Sequence, residues 1–194
     1  MMEPKLGITF VTGGARSGKS AYAVELGKRS GGPVVYLATA EPIDDEMRAR
    51  IARHQAERPA EWQTIEEPLE LAHRVEDEVE PGATVIVDCM TVWLGNVLEQ
   101  HDQKEPTLDA ANVYALGEVE RLGRLAVDRQ LSLIAISNEV GGGIVPADPV
   151  TRGYRDLLGE VNQRLAAMAD TVVLLVSGIP VDLRSISMKR EANR

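Results

Sequence analysis

Eight consecutive residues, Gly13-Gly14-Ala15-Arg16-Ser17-Gly18-Lys19-Ser20, restrict the possible folds of this chain more than any other stretch. They fit G-x-x-x-x-G-K-S without a gap, after the β-branched run Ile8–Thr12 and before a helical pattern at Lys19–Arg29. In such a turn the glycines let backbone N–H groups point inward at phosphate, and the following helix adds its positive end. Lys19 is expected to reach the β- and γ-phosphates, and the Ser20 hydroxyl to bind Mg²⁺.

A strand–loop–helix of this kind needs a sheet around it. Four further apolar runs supply one: Val34–Ala38, Thr84–Val87, Leu131–Ile136 and Thr171–Val176. They are near-continuously hydrophobic, the pattern of parallel strands covered on both faces. Helical periods fall between them, at Asp44–Glu57, Leu69–Glu78, Leu108–Arg129 and Pro149–Ala169. The order predicts an α/β fold, a three-layer P-loop NTPase (RecA-like) architecture with a mainly parallel central sheet. Residues 1–183 are expected to form a single nucleotide-binding domain. Glu99–Thr107 reads as a flexible connection, and the basic tail 184–194 as disordered. The strands end in Thr39-Ala40-Glu41, Asp88, Ser137-Asn138-Glu139 and Ser177-Gly178, residues that an open α/β sheet gathers at its ligand-binding edge.

Charge narrows the choice of partner. The formal net charge is −9 and no dense basic patch occurs, which argues against nucleic acid. No apolar run is long enough to span a bilayer, and the N-terminus lacks the pattern of a signal peptide. The single cysteine, Cys89, suits a reducing, cytoplasmic setting. The N-K-x-D motif of regulatory GTPases is absent; Asn138-Glu139-Val140-Gly141 comes nearest and lacks the lysine.

Two features go beyond phosphate binding. Asp88 ends an apolar strand, as in a Walker-B element, and would complete a metal site with Ser20. His54 lies on a predicted helix whose Met47, Arg50, Ile51 and Arg58 share its side. Arginines flanking an imidazole grip phosphate and favour the neutral ring, which can attack an α-phosphate. Spacing alone leaves a solvated charged helix face as the alternative. His73 reads as an exposed helical residue and His101 as solvated within the polar connection.

Taken together, these motifs resemble a known family. They run from Val11-Thr12 through the phosphate loop and Tyr36-Leu37-Ala38-Thr39-Ala40 to Asp44-Asp45-Glu46-Met47, Arg50-Ile51, His54, Arg58-Pro59 and Trp62. They resume at Ser137-Asn138-Glu139-Val140-Gly141, Gly143-Ile144-Val145-Pro146, Arg155-Asp156, Gly159, Asn162-Gln163 and Val176-Ser177-Gly178. The chain resembles the bifunctional adenosylcobinamide kinase / adenosylcobinamide-phosphate guanylyltransferases of cobalamin biosynthesis. That resemblance implies phosphorylation of adenosylcobinamide with ATP or GTP, then transfer of GMP from GTP, with release of pyrophosphate. It implies a guanylylated histidine at His54, with Lys19 as the second catalytic residue, and Mg²⁺ at Ser20 and Asp88. The nucleotide contacts it implies are Gly13, Gly14, Ala15, Arg16, Ser17, Gly18, Lys19, Ser20, Thr39, Ala40, Glu41, Gln55, Ala56, Glu57, Arg58, Glu66 and Asp88, with Glu67 an alternative to Glu66. It implies a homotrimer. Asn138, Glu139 and Gly141–Gly143 are corrinoid candidates by position, although the glycines would equally serve a tight turn.

Overall fold

A computed structural model describes residues 6–102 and 108–188. Strand β1 (Gly7–Gly13) enters the phosphate loop directly, and helix α1 (Lys19–Arg29) leaves it. There follow β2 (Val34–Ala38), α2 (Asp45–Ala56), β3 (Gln63–Glu66), α3 (Leu71–Glu78) and β4 (Thr84–Asp88). The second half contains α4 (Met90–Asp102), α5 (Leu108–Asp128), β5 (Ser132–Ile136), α6 (Pro149–Met168), β6 (Thr171–Val176), β7 (Ile179–Asp182) and the single turn α7 (Leu183–Ile186).

The seven strands make one sheet in the order β3-β2-β4-β5-β1-β6-β7. All neighbours are parallel except β6 and β7. Strand β1 therefore lies between β5 and β6, and β5 separates it from β4. Buried side chains from both faces explain the continuous apolar runs. Val11, Tyr36, Ile86 and Ile134 pack with Ala23, Val24 and Leu26 of α1 on one side. Phe10, Val85, Leu133 and Val172 pack with residues of α3, α4, α5 and α6 on the other. The sheet is thus sandwiched between helical layers, the expected three-layer α/β class.

Three short elements and one long helix were not expected from the sequence. Helix α4 takes over the first part of the anticipated polar connection: Glu99–Asp102 continue it, while 103–107 and the side chain of His101 lie outside the described residues. Its Met90, Trp93, Leu94 and Val97 are all fully buried, and Trp93 Nε1 donates to Leu69 O at 2.8 Å. Strand β3 has a single buried side chain, Ile65, and so carried little pattern. The tail is ordered further than expected, through Met188. Asp182 accepts from the N–H of Arg184 at 2.9 Å and of Ser185 at 3.3 Å, starting α7. The Arg184 guanidinium donates to Ala169 O at 2.8 Å, tying this turn to the end of α6. Residues 189–194 lie outside the described residues.

Candidate active site

The phosphate loop is built by backbone placement. Gly13 has φ +146°, and a Cβ there would lie 2.4 Å from Leu175 O on β6, so a side chain cannot be accommodated. Gly18, in the left-handed region at φ +100°, turns the chain into α1. The loop is anchored on two sides: Glu139 N–H donates to Gly13 O at 3.1 Å, and Gly178 N–H to Ser17 O at 2.9 Å. The Lys19 ammonium folds back on the loop, donating to Gly13 O at 3.0 Å and Gly14 O at 2.7 Å. Lys19 and Ser17 are buried, whereas Gly14, Ala15 and Arg16 face solvent.

A second, narrow cleft lies off the ends of β2 and β4. Helix α2 forms its outer wall. Asp44 caps that helix by accepting from Met47 N–H at 2.7 Å, and Asp45 and Glu46 complement the positive end of its first turn. The face bearing Met47, Ile51, His54 and Gln55 then looks into the cleft, and Arg58 joins it from two residues past the helix end. Of the predicted stripe, Met47, Ile51 and His54 lie on the helix, Arg58 reaches the cleft from beyond the C-cap Glu57, and the side chain of Arg50 lies outside the described residues. His54 Nδ1 is 3.8 Å from Asp88 Oδ2, beyond hydrogen-bonding range but close enough to orient the ring, with the histidine side chain 29% exposed. The Arg58 guanidinium stacks over the Tyr36 ring at 3.6 Å. Its Nε and one Nη are buried without a hydrogen-bond partner among the described residues.

Sequence reasoning did not single out Tyr36 as a site residue. Its hydroxyl donates to Asp88 Oδ2, the oxygen facing His54. Burial, and next the Asp88 carboxylate, hold the phenol well above its ordinary pKa, so it remains a donor at any working pH. Tyr36→Phe keeps the ring under Arg58 but removes that bond. Hydrogen bonds to charged groups are worth about 1.5–3 kcal/mol, so a reaction that uses His54 should slow about ten- to a hundredfold in kcat, with the KM for its nucleotide little changed. Steady-state kinetics on the folded variant checks this; a changed KM at unchanged kcat would contradict it.

Cys89 also lines the cleft. Burial first, and the Asp88 carboxylate second, push its thiol up to about 11. Its thiolate fraction at pH 8 is then ~10⁻³, and the reactive form is scarce. Iodoacetamide should therefore label native protein at pH 8 far more slowly than urea-unfolded protein, and faster as the pH rises toward 11. Equal rates would contradict a protonated Cys89.

The remaining predicted contacts divide. Ala40, Gln55, Arg58, Glu66 and Asp88 line the cleft, and Gln55 Nε2 donates to Glu66 Oε1 at 3.3 Å. Glu67 turns away: its Oε1 accepts from the N–H groups of Leu69 (2.8 Å) and Glu70 (2.9 Å) ahead of α3. Thr39 is buried, its hydroxyl bonded to the N–H and the carbonyl of Cys89 at 2.9 Å each, so it joins two strand ends. Glu41, Ala56 and Glu57 are exposed and do not line the cleft. Ser20 is the second residue of α1, and Asp88 ends β4. No cluster of three or more His, Cys, Asp or Glu side chains suited to a metal occurs among the described residues.

A P-loop at the carboxyl edge of a parallel sheet, beside a second cleft holding histidine, arginine and aspartate, defines a nucleotide-dependent transferase of the P-loop α/β class. Solved structures agree on the fold. An ATPase from the type III secretion system of pathogenic bacteria superposes with TM-score 0.53 at 11% identity, over 94% of this chain and 59% of its own. The flagellar accessory protein FlaH from Methanocaldococcus jannaschii gives 0.51 at 12%, over 89% and 72%. At sequence level the family model described as cobinamide kinase / cobinamide phosphate guanyltransferase matches residues 9–183, and the chain belongs to that family. The bifunctional adenosylcobalamin biosynthesis protein CobP of Pseudomonas aeruginosa is 42% identical over 175 residues, 90% of this chain and 96% of that protein. The corresponding CobU of Escherichia coli K12 is 38% identical over 179 residues, 90% and 98%. No helix among the described residues is long and apolar enough to cross a membrane.

Proposed function

We propose that the chain carries both activities of its family on one nucleotide loop, and that His54 carries the guanylyl group between them. In the first reaction a nucleoside triphosphate, ATP or GTP, lies on Gly13–Ser20, and the hydroxyl of cobinamide attacks its γ-phosphorus, losing its proton to solvent as the P–O bond to the β-phosphate breaks and nucleoside diphosphate leaves. Lys19 exchanges its bonds to Gly13 O and Gly14 O for bonds to phosphate oxygens and offsets their charge. In the second reaction His54 Nε2 attacks the α-phosphorus of GTP, forming a P–N bond as the P–O bond to pyrophosphate breaks. A phosphate oxygen of cobinamide phosphate then attacks the same phosphorus. The P–N bond breaks, GMP is transferred, and the ring returns to neutral imidazole.

The observation that carries this reading is the placement of Asp88 Oδ2 at 3.8 Å from Nδ1 of His54. The negative charge on that side favours the Nδ1–H tautomer through space, without a hydrogen bond, and leaves Nε2 as the nucleophile. Arg58, stacked over Tyr36 with N–H groups that have no hydrogen-bond partner among the described residues, is suited to the α-phosphate. The Ser20 hydroxyl and Asp88 carboxylate would supply oxygen donors of the kind Mg²⁺ takes. The bound ion would neutralise β- and γ-phosphate oxygens. The homotrimer and the cytoplasmic setting belong to the same proposal. Exposed apolar Ile179, Ile186 and Met188 beside the β7 edge support self-association, which sedimentation would test.

The direct test incubates the protein with Mg²⁺ and α-labelled GTP. Acid-labile, base-stable label at His54, discharged by cobinamide phosphate, is the expected result. Phosphate transfer to cobinamide without protein labelling would leave a kinase and remove the histidine route.

A further inference from the structure

The loop Asn138-Glu139-Val140-Gly141-Gly142-Gly143 and the residues of α6 facing it take no part in the cleft around His54. Between them lies a separate open cleft of about 370 Å³, at the lower end of the usual range for small-molecule sites. We infer that this cleft binds the carboxamide-bearing edge of the corrinoid acceptor, a reading that rests on the function proposed above.

Its position follows from strand order. Strand β5 lies between β4, which ends in Asp88, and β1, which ends in the phosphate loop. The chain leaving β5 is fastened to both neighbours: Asn138 N–H donates to Thr91 Oγ1 at 2.7 Å beside β4, and Glu139 N–H to Gly13 O at 3.1 Å on the loop. A molecule seated here has its inner end next to the phosphates. The opposite rim is fixed by Arg155, whose guanidinium donates to Gly141 O at 2.8 Å.

Its chemistry points to amides. Asn162 is only 8% exposed and lines the cleft. Its Nδ2 donates to Asn138 O at 3.0 Å, which orients the amide. Its Oδ1 is buried with no hydrogen-bond partner among the described residues. A buried carbonyl oxygen left unpaired is unfavourable, and a ligand N–H would satisfy it. Gln163, Glu139 and Asp156 add acceptors around it, and Gln163 adds a donor. A primary carboxamide needs both kinds of partner. Three carboxylates, Glu139, Asp156 and Glu160, against Arg155 disfavour a second triphosphate in the same space. The amide-edged ring of a corrinoid, with its hydroxyl or phosphate arm directed at the loop, fits this lining.

Gly159 gives a clean test. It lines the cleft, and a Cβ there would meet no atom within 4 Å, so Gly159→Phe fills the space without a backbone clash. Gln163→Ala, at an exposed position, is a second variant that leaves packing alone. Labelling by GTP alone needs no acceptor, and it should stay within twofold in both variants. The KM for cobinamide phosphate should rise tenfold or more in Gly159→Phe and severalfold in Gln163→Ala. An acceptor KM within twofold of the unmodified protein overturns the assignment, and so does an equal rise in the KM for GTP. If the unmodified protein takes no label, the histidine route fails and direct binding of cobinamide decides the cleft. Weaker binding by Gly159→Phe supports it, and unchanged binding overturns it.

Discussion

Replacing His54 with alanine is expected to abolish guanylyl transfer while leaving phosphorylation of cobinamide within about tenfold of the unmodified protein. No second imidazole lines the cleft. Arg58, Gln55 and Tyr36 hold no nucleophilic atom suited to a P–N intermediate, and Cys89 is protonated at working pH. Loss of a covalent nucleophile removes about 10³-fold or more of the rate. Phosphoryl transfer is governed by positioning and charge at the phosphate loop, which α2 does not form. Parallel assays with α- and γ-labelled GTP would separate the two rates. Equal loss of both, in a protein of unchanged circular dichroism, would show that His54 acts in holding the triphosphate rather than in carrying the guanylyl group.

Lys19→Ala should have a different signature: both reactions fall, each by about 10²-fold or more, because both use the same triphosphate. The Lys19 ammonium is the cation seated on the loop itself, bonded to the carbonyls of Gly13 and Gly14. Its removal deletes charge where the γ-phosphate must lie. Helix α1 retains its buried Ala23, Val24 and Leu26, so the variant should still fold. If phosphorylation vanished but His54 were labelled at the normal rate, the two reactions would have separate nucleotide sites, and a shared loop would be wrong.

Features encoded within one stretch of chain were legible in advance; those created by strand pairing were not. Gly13–Ser20 is contiguous, so its loop could be read directly. Asp88 was readable because it ends a buried strand. Tyr36 was opaque, since its partner lies 52 residues on and is reached only because β2 and β4 pair with Ala38 opposite Asp88. The choice between Glu66 and Glu67 had the same character: Glu66 pairs with Ala38 at the end of β3, and the next residue turns onto α3. Asn162 likewise needed α6 to be seen against the end of β5. Helix α4 is a different case. Met90, Trp93, Leu94 and Val97 fall at i, i+3, i+4 and i+7, a period present in the sequence. Its first turn follows Asp88 so closely that strand and helix merge into one apolar run. Strand β7 begins Ile179-Pro180 after a two-residue turn, where proline speaks against a strand unless the strand lies at an edge, as β7 does.

Helix α2 has one more property with consequences. Every one of its residues whose side chain is described is at least partly exposed, so it contributes nothing to either core. Beyond its C-terminus, Trp62 packs against Gly27 of α1, where a Cβ would come within 2.7 Å of the indole. The histidine-bearing arm is therefore pinned beside the phosphate-loop helix but lightly held along its length. Segments with few buried contacts open at low free-energy cost. In hydrogen exchange, α2 should lose its amide protons well before β1, β4 or β5, and slow markedly once nucleotide fills the cleft. The helix would then act as a spring-loaded jaw, its stiffness set by what it holds.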